Sequence, residues 1–265
     1  EATRRGKNVI DQRDFDAAGD RVRLGAKREE VFSEEQKRRT AYHEAGHALC
    51  AWLEPKADKI ERVSIVSRGN ALGVTLFSPD EERLATISKT EIEAQLVVAL
   101  GGRAADQIVF GEPRSGATQD IKQATRMARL MVTQFGMSDR LGPIYFRQGE
   151  EHVFLGKEIH EGRDFSEGTA RIIDEEIHRI VNEALERSIT MLSTHRADLD
   201  IIAEALLVHE ELDREDVSKL LSGVPVQALR PLTTAPPPVN STEEEPAAKP
   251  ETEPRVNPGL AFGGM

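Results

Sequence analysis

The spacing of apolar residues along the chain predicts a protein built mainly of helices. The clearest helix begins at Ser33, where Ser33 and Gln36 have the pattern of a capping box, and it ends before Pro55, which cannot continue a helix. Its apolar positions recur every three or four residues, as in a helix with one buried face. These positions are Ala41, Tyr42, Ala45, Leu49 and Trp52.

Helical spacing returns in several later segments. Residues 90–110 form the first of them, with Gly101 and Gly102 as a weak point in the middle, because glycine is a poor helix former. Gly46, in the helix that begins at Ser33, likewise destabilises its helix by about 1 kcal/mol relative to Ala. It either lets another backbone approach closely or has no structural role. The remaining predicted helices are residues 118–135, a long helix capped by Ser166, residues 197–208 and residues 213–221.

Extended structure is predicted in two short runs, 60–67 and 72–77, which are rich in β-branched residues. Residues 68–70, Arg-Gly-Asn, are typical of a turn, so we expect a hairpin. The connection 136–162 contains glycine and proline and is expected to include one or two extended pieces. The predicted fold class is therefore mainly α with a small β-hairpin or sheet.

The two ends of the chain differ from this middle part. Residues 1–27 are expected to form a short helix, a turn and a second helix capped by Asp11 or Asp14, a piece too small to fold alone. Nine of the 13 prolines lie at or beyond Pro225, in Glu- and Thr-rich sequence without apolar periodicity, which is expected to stay disordered. The predicted parts are residues 1–32, the main domain 33–222 and the tail 223–265.

Charge and cysteine content exclude some classes of function. The formal net charge of −11 argues against a nucleic-acid partner, because such a partner requires a basic face. The single cysteine, Cys50, rules out an internal disulfide and is expected to pack inside the core. No apolar run is long enough to cross a bilayer. The chain begins with Glu rather than Met, so we expect it to be a fragment of a longer protein.

The most informative segment for function is 43–47, with the sequence His-Glu-Ala-Gly-His. His43 and His47 lie one turn apart on one helix face, so both imidazoles can reach a single zinc ion. Glu44 lies beside both histidines without being a ligand, and its carboxylate can take the proton of an attacking water. The pattern predicts zinc-dependent peptide hydrolysis. The alternative is two ordinary helix histidines beside an ordinary glutamate.

A zinc ion held by two histidines needs a third protein ligand. The other five histidines are scattered and form no second ligand-spaced pair, so a carboxylate is the better candidate. Asp120 stands out because it lies in the first turn of the predicted helix 118–135. A carboxylate there also interacts favourably with the helix dipole, and from the residues alone this is the better explanation of Asp120.

Six runs of the chain resemble the protease domain of the FtsH family, the membrane-anchored AAA zinc proteases. They appear in family order over roughly residues 1–222, and they are residues 40–48, 63–69, 71–75, 101–105, 115–121 and 136–138. The resemblance implies a zinc-peptidase domain of the FtsH type. It also implies that Asp120 is the third zinc ligand, although Gln119 stands where the family usually has Asn. Asp106 and Gln107 stand where the family commonly has two glutamates, so Asp106 is the reserve third ligand or orients a ligand histidine.

The resemblance also suggests what the ends and partners are. Residues 1–32 are expected to be the C-terminal remnant of the AAA ATPase lid and its linker, and no phosphate-binding loop is present, so no ATP site is expected. In the family an ATPase ring threads unfolded or membrane-extracted proteins into a hexameric protease ring. We therefore expect protein substrates and a homo-hexamer. The parent protein is expected at the cytoplasmic face of the bacterial inner membrane, held by its missing N-terminal part, with this fragment soluble.

Three functions remain open from the sequence. The first is an endopeptidase, in which the hairpin 60–77 offers an edge strand that pairs with extended substrate beside the zinc; otherwise the hairpin only covers the helix. The second is a protease-like scaffold that assembles without hydrolysis, against which the intact set of His43, Glu44, His47 and Asp120 argues. The third is an amidase for small molecules, which the six family motifs disfavour.

Overall fold

The computed structural model describes residues 3, 6, 8–25, 33–68, 72–78, 86–146, 151–154, 157–160 and 164–229. Within these ranges the α-helices are α1 (Gln12–Leu24), α2 (Glu34–Leu53), α3 (Lys89–Phe110), α4 (Thr118–Thr133), α5 (Glu167–Thr194), α6 (Arg196–His209) and α7 (Arg214–Leu221). The strands are β1 (Lys59–Ser64), β2 (Val74–Ser78), β3 (Glu151–Phe154), β4 (Lys157–His160) and β5 (Glu211–Asp213). The prediction of a mainly helical protein with a small sheet is confirmed.

Side chains cap the starts of α2, α3 and α5, and the sequence predicts the caps of α2 and α5. Ser33 Oγ accepts the backbone N–H of Gln36, and the Gln36 side chain accepts the N–H of Ser33 in return. Ser88 and Glu91 make the same reciprocal pair at the start of α3, and Ser166 caps α5. These bonds satisfy backbone N–H groups that the first turn of a helix leaves without a partner.

Helix α1 is the described part of the N-terminal segment. Asp11 is its N-cap, and Asp14 accepts the N–H of Asp11 in a capping box, so both predicted capping candidates take part. The expected helix before α1 falls largely outside the described residues, as do residues 26–32. The assignment of residues 1–32 to an ATPase lid and linker stays a prediction.

The predicted hairpin is present and is part of a three-stranded antiparallel sheet. Strands β1 and β2 pair with Ile60 opposite Phe77 and Ser64 opposite Val74. The sheet order is β2-β1-β5, because β5 pairs with the other side of β1. In the described part of the chain, β2 is therefore an edge strand. The extended pieces expected in the connection 136–162 are β3 and β4, which pair with each other.

Helix α2 lies inside the domain and packs against α3, α6 and β1. Its middle is built of small residues, and Ala41, Ala45 and Ala48 are fully buried. Gly46 and Gly101 meet where α2 and α3 approach most closely: a Cβ on Gly101 would lie 2.6 Å from the Gly46 carbonyl oxygen, and one on Gly46 would strike the Gly101 carbonyl. Gly46 therefore lets the backbone of α3 approach, which decides between the two alternatives for this residue.

The packed region continues past the predicted boundary at 222/223. A 3₁₀ helix covers Val226–Ala228, and Val226 and Leu229 are both buried in the hydrophobic core. His209 Nε2 donates a hydrogen bond of 2.8 Å to the Val226 carbonyl, which ties this segment to α6. The prediction of a disordered tail over 223–265 is therefore wrong for residues 223–229, because burial of Val226 and Leu229 orders them. Residues 230–265 lie outside the described residues.

A chain that ends at Leu229 should keep the cooperative thermal unfolding of the full chain. A chain that ends at Ser222 should melt at a temperature lower by roughly 5 °C or more, since it loses Val226 and Leu229, whose burial contributes about 1.5–3 kcal/mol each. The Tm values of the three chains, measured by circular dichroism, test this. A chain ending at Leu229 that unfolds without cooperativity would show that the tail is needed for folding.

Candidate metal centre

Two histidine rings on α2 face each other across one helical turn. The ring centroids of His43 and His47 are 4.9 Å apart, and their Nε2 atoms are 3.2 Å apart. Two nitrogens bound at about 2.0–2.1 Å to one tetrahedral zinc ion lie about 3.3–3.4 Å apart. The separation of the two rings therefore fits a shared metal ion.

Hydrogen bonds from α3 fix which nitrogen of each ring is available. His47 Nδ1 lies 2.8 Å from the carbonyl oxygen of Val98, and His43 Nδ1 lies 3.2 Å from Asp106 Oδ2. A carbonyl oxygen and a carboxylate accept hydrogen bonds, so each Nδ1 carries the hydrogen. In the neutral rings each Nε2 then presents its lone pair, which is the form that binds a metal.

A carboxylate from a third helix completes the cluster. Asp120 lies in the first turn of α4, and its Oδ2 is 3.2 Å from His43 Nε2 and 3.7 Å from His47 Nε2. Among the side chains that the structure describes, His43, His47 and Asp120 are the only group of three His, Cys, Asp or Glu residues whose ligand atoms could surround one ion. Two imidazole nitrogens and one carboxylate oxygen are a donor set that suits a catalytic zinc ion.

The charges around the cluster favour a cation. Burial lowers the pKa of His43, but hydrogen bonds to the carboxylates of Asp106 and Asp120 outweigh it and raise the pKa to about 10. Burial opposes ionisation of Asp120 as well, yet the hydrogen bonds to His43 and His47 hold the pKa of this carboxyl below its usual range. The protein therefore places negative charge beside the ring nitrogens that would bind a metal ion.

Glu44 is a separate, buried carboxyl beside the cluster. Only 6% of Glu44 is exposed, and burial raises its pKa although the neighbouring histidines and a hydrogen bond from Thr75 act in the other direction. The Thr75 hydroxyl donates this bond to Glu44 Oε2 over 2.8 Å. A carboxyl with a raised pKa accepts a proton more readily than an exposed glutamate, as a general base must.

Gly102 on α3 makes room for the two rings. A Cβ at Gly102 would lie 2.5 Å from His43 Cε1 and 2.5 Å from His47 Nε2. Real Cβ atoms do not approach other heavy atoms so closely, so the rings would have to move. The glycine at position 102, which weakens the middle of α3, is therefore needed to leave space for the two imidazole rings.

The cluster opens into a large cleft between α2 and the hairpin. The cleft has a volume of about 1100 Å³, and His43, Glu44, His47 and Asp120 line it. Residues of β2 and of the segment before it form another part of its wall; they are Leu72, Gly73, Val74, Thr75 and Phe77. A peptide in this cleft would contact both the edge strand and the candidate metal ligands.

The structure brings together the residues that the sequence singles out. His43, His47 and Asp120 converge, and Glu44 lies next to them. Asp106 contacts the far side of the His43 ring, at Nδ1, rather than the nitrogen that faces Asp120. Sequence reasoning missed the contributions of Val98, Gly102 and Thr75. Of these three residues, only Gly102 had a signal in the sequence, namely the helix-weakening pair Gly101-Gly102.

A mainly helical domain with this histidine pair, the intervening glutamate and a carboxylate from another helix has the construction of a zinc-dependent peptidase. Comparison with known families agrees, since the model of peptidase family M41 matches residues 30–220. The chain belongs to peptidase family M41, and it is a protease-domain fragment of the FtsH type.

Several curated relatives are ATP-dependent zinc metalloproteases named FtsH. The ATP-dependent zinc metalloprotease FtsH of Nitrosococcus oceani is 49% identical over 221 residues, which are 83% of this chain and 34% of that protein. FtsH 4 of Sphaerobacter thermophilus is 44% identical over 234 residues, 88% of this chain and 35% of the relative. FtsH of Chloroflexus aggregans is 47% identical over 236 residues, again 88% and 35%. The chain spans about a third of the length of the curated relatives that it matches.

Replacing Gly102 by Ala should weaken zinc binding by about 10- to 100-fold, because the new methyl group displaces both imidazoles. Gly168→Ala in α5 is the matched control, since a Cβ there would meet only Ser166 Oγ at 3.6 Å. Zinc affinity is measured by competition with a chromogenic chelator. Equal affinity in the Gly102→Ala and Gly168→Ala variants would refute the role of Gly102.

Proposed function

We propose that this domain is an endopeptidase in which His43, His47 and Asp120 bind one zinc ion and Glu44 is the general base. The observation that carries the proposal is the convergence of the three ligand atoms within 4.8 Å of one another, with the buried Glu44 carboxyl beside them in the same cleft. Family membership supports the same reaction class.

The residues of the site would have different roles in the reaction. When held by His43, His47 and Asp120, a zinc ion would supply Lewis-acid chemistry, which would polarise a peptide carbonyl and lower the pKa of water to about 7. Glu44 takes the proton of the attacking water and then delivers it to the departing amine. Asp106 and the Val98 carbonyl hold the His43 and His47 rings in the tautomer that leaves Nε2 free.

We further propose that substrate binds in extended form along β2. This strand lies at one edge of the described sheet and also lines the cleft, so its outer backbone groups can pair with a peptide that passes the metal ligands. Pairing through backbone atoms suits a protease that acts on many unfolded sequences, because backbone hydrogen bonds do not depend on side chains. The substrates would be unfolded or membrane-extracted proteins.

The activity of the parent protein is also a proposal. The named relatives are ATP-dependent, and the resemblance to their family supports delivery of substrate by an ATPase ring, a homo-hexameric assembly and attachment to the cytoplasmic face of the inner membrane. No helix in the described part of this chain has the length and apolar character needed to cross a membrane. Residues 1–32 would be the end of the ATPase lid and its linker.

Glu44→Gln should reduce zinc-dependent hydrolysis of a quenched fluorescent peptide by about 10²–10⁴-fold, because the amide keeps the shape of the side chain but cannot take a proton. Zinc content should stay at about one ion per chain in both proteins, as measured by atomic emission, and a strong chelator should remove it. Parent protein that neither contains nor takes up zinc would refute the site. Retained activity in the variant would show that another residue is the base.

The assignment of the third ligand is tested by comparing two aspartates. Asp120→Ala should weaken zinc binding far more than Asp106→Ala, because the first removes a ligand and the second a hydrogen bond worth about 10–100-fold in affinity. If Asp120 only served the helix dipole, its loss would cost about 0.3–1 kcal/mol of stability and leave zinc affinity unchanged.

Asp198→Ala is the matched control for this comparison. Asp198 also lies in the first turn of a helix, α6, and also contacts a histidine, at 3.0 Å from His195 Nδ1. Its replacement should leave the zinc affinity of the chain as in the parent. The opposite order, with zinc lost in Asp106→Ala and retained in Asp120→Ala, would make Asp106 the third ligand.

A further inference from the structure

The start of strand β2 lies directly against the carboxyl group of Glu44. The Thr75 hydroxyl donates a 2.8 Å hydrogen bond to Glu44 Oε2 and lies 3.4 Å from the Glu44 carbonyl oxygen. Two residues earlier, a Cβ at Gly73 would lie 2.7 Å from Glu44 Oε1 and 2.8 Å from its Cγ. Thr75 of β2 thus bonds one carboxylate oxygen of Glu44, and Gly73, just before the strand, approaches the other without a side chain between them.

The backbone position of Thr75 is set by the sheet. Thr75 stands opposite Val63 of β1, and Val63 is fully buried in the core. Side chains alternate along a strand, so Thr75 and Phe77 share one face of β2. Phe77 packs against the hydrophobic core, which places this face toward the interior and toward α2. The hydroxyl therefore approaches Glu44 from a fixed strand rather than from a loose loop.

We propose that Thr75 is a positioning residue for the reaction: it holds the Glu44 carboxylate in place from the strand along which substrate binds. This inference rests on the proposed function of Glu44 as the general base. A carboxylate on a flexible glutamate side chain can turn away from the water it must deprotonate. A hydrogen bond at one oxygen limits that rotation and leaves the second oxygen available for the proton.

The arrangement also links substrate binding to proton transfer. A peptide that pairs with the outer edge of β2 contacts the same strand whose inner face carries Thr75. The rings of His43 and His47, in contrast, take their supporting contacts from α3. Loss of the Thr75 hydroxyl should therefore reduce the rate of the chemical step while zinc content and substrate affinity stay the same.

The test compares Thr75→Val, Thr75→Ser and the parent chain on a quenched fluorescent peptide, with zinc content measured for each. Thr75→Val keeps the β-branched shape that suits a strand and removes the hydroxyl. We expect its kcat to fall by about 10- to 100-fold, the effect of losing a hydrogen bond to a charged group, with KM within about twofold of the parent. Thr75→Ser restores the hydroxyl and should recover most of the lost kcat.

Thr133→Val is the matched control, because it removes a buried hydroxyl that bonds the Arg129 carbonyl of α4. Its kcat should equal that of the parent. A kcat of Thr75→Val within twofold of the parent would overturn the proposal, as would a change confined to KM or a failure of Thr75→Ser to recover activity. Thr75→Ala repeats the comparison if Thr75→Val does not fold.

A second measurement separates this proposal from the proposed function. If the parent chain shows no zinc-dependent hydrolysis, the general-base role of Glu44 fails, whereas the contact itself is still measurable in a double-mutant cycle of thermal stability. We expect Thr75→Val to lower the Tm more in the parent than in a Glu44→Ala background. An equal loss of Tm in both backgrounds would show that the hydroxyl does not hold Glu44, and the proposal would be withdrawn.

Discussion

The contact between Gly46 of α2 and Gly101 of α3 is the constraint on which the rest of the site depends. Because neither residue has a side chain, the two backbones approach until a single added carbon would collide with a carbonyl oxygen. Each glycine costs its helix about 1 kcal/mol relative to Ala. The close approach turns one stripe of α3, with Val98, Gly102 and Asp106 at successive intervals of four residues, toward the histidines of α2.

Each of these three residues of α3 contributes differently to the candidate metal centre. Val98 offers its carbonyl to His47 Nδ1, Asp106 offers its carboxylate to His43 Nδ1, and Gly102 leaves the space that the two rings fill. Buried carboxylates are costly unless they have a charged partner. The same carboxylates that raise the pKa of His43 to about 10 would also favour a metal cation at its Nε2, so a proton and the proposed metal ion would compete for that nitrogen.

The sequence was sufficient for the elements whose signals are local. The capping pair of Ser33 and Gln36, the helix that carries His43 and His47, and the β1–β2 hairpin follow from spacing and turn residues over a few positions. Strand β5 was not predicted, because three residues are too few to show alternation and their pairing with β1 is a tertiary contact. The contacts of Val98 and Thr75 were missed for a related reason: a backbone carbonyl has no sequence signature, and one threonine in a strand looks like any other.

Glu44 occupies the point at which the helical and the β parts of the domain meet. Although it is the neighbour of His43 in the chain, its support comes from a different direction: α3 holds the rings, whereas β2 contacts the carboxylate. The side chains of His43, Glu44 and His47 on one turn of α2 are thus held by partners that lie 31 to 63 residues away in sequence. The small residues in the middle of α2, Ala41, Ala45, Gly46 and Ala48, suit the centre of such a site because they let neighbouring elements approach the helix backbone. The packing around α2 therefore sets the positions of the side chains in the candidate site, and the segment 43–47 of α2 only supplies those side chains.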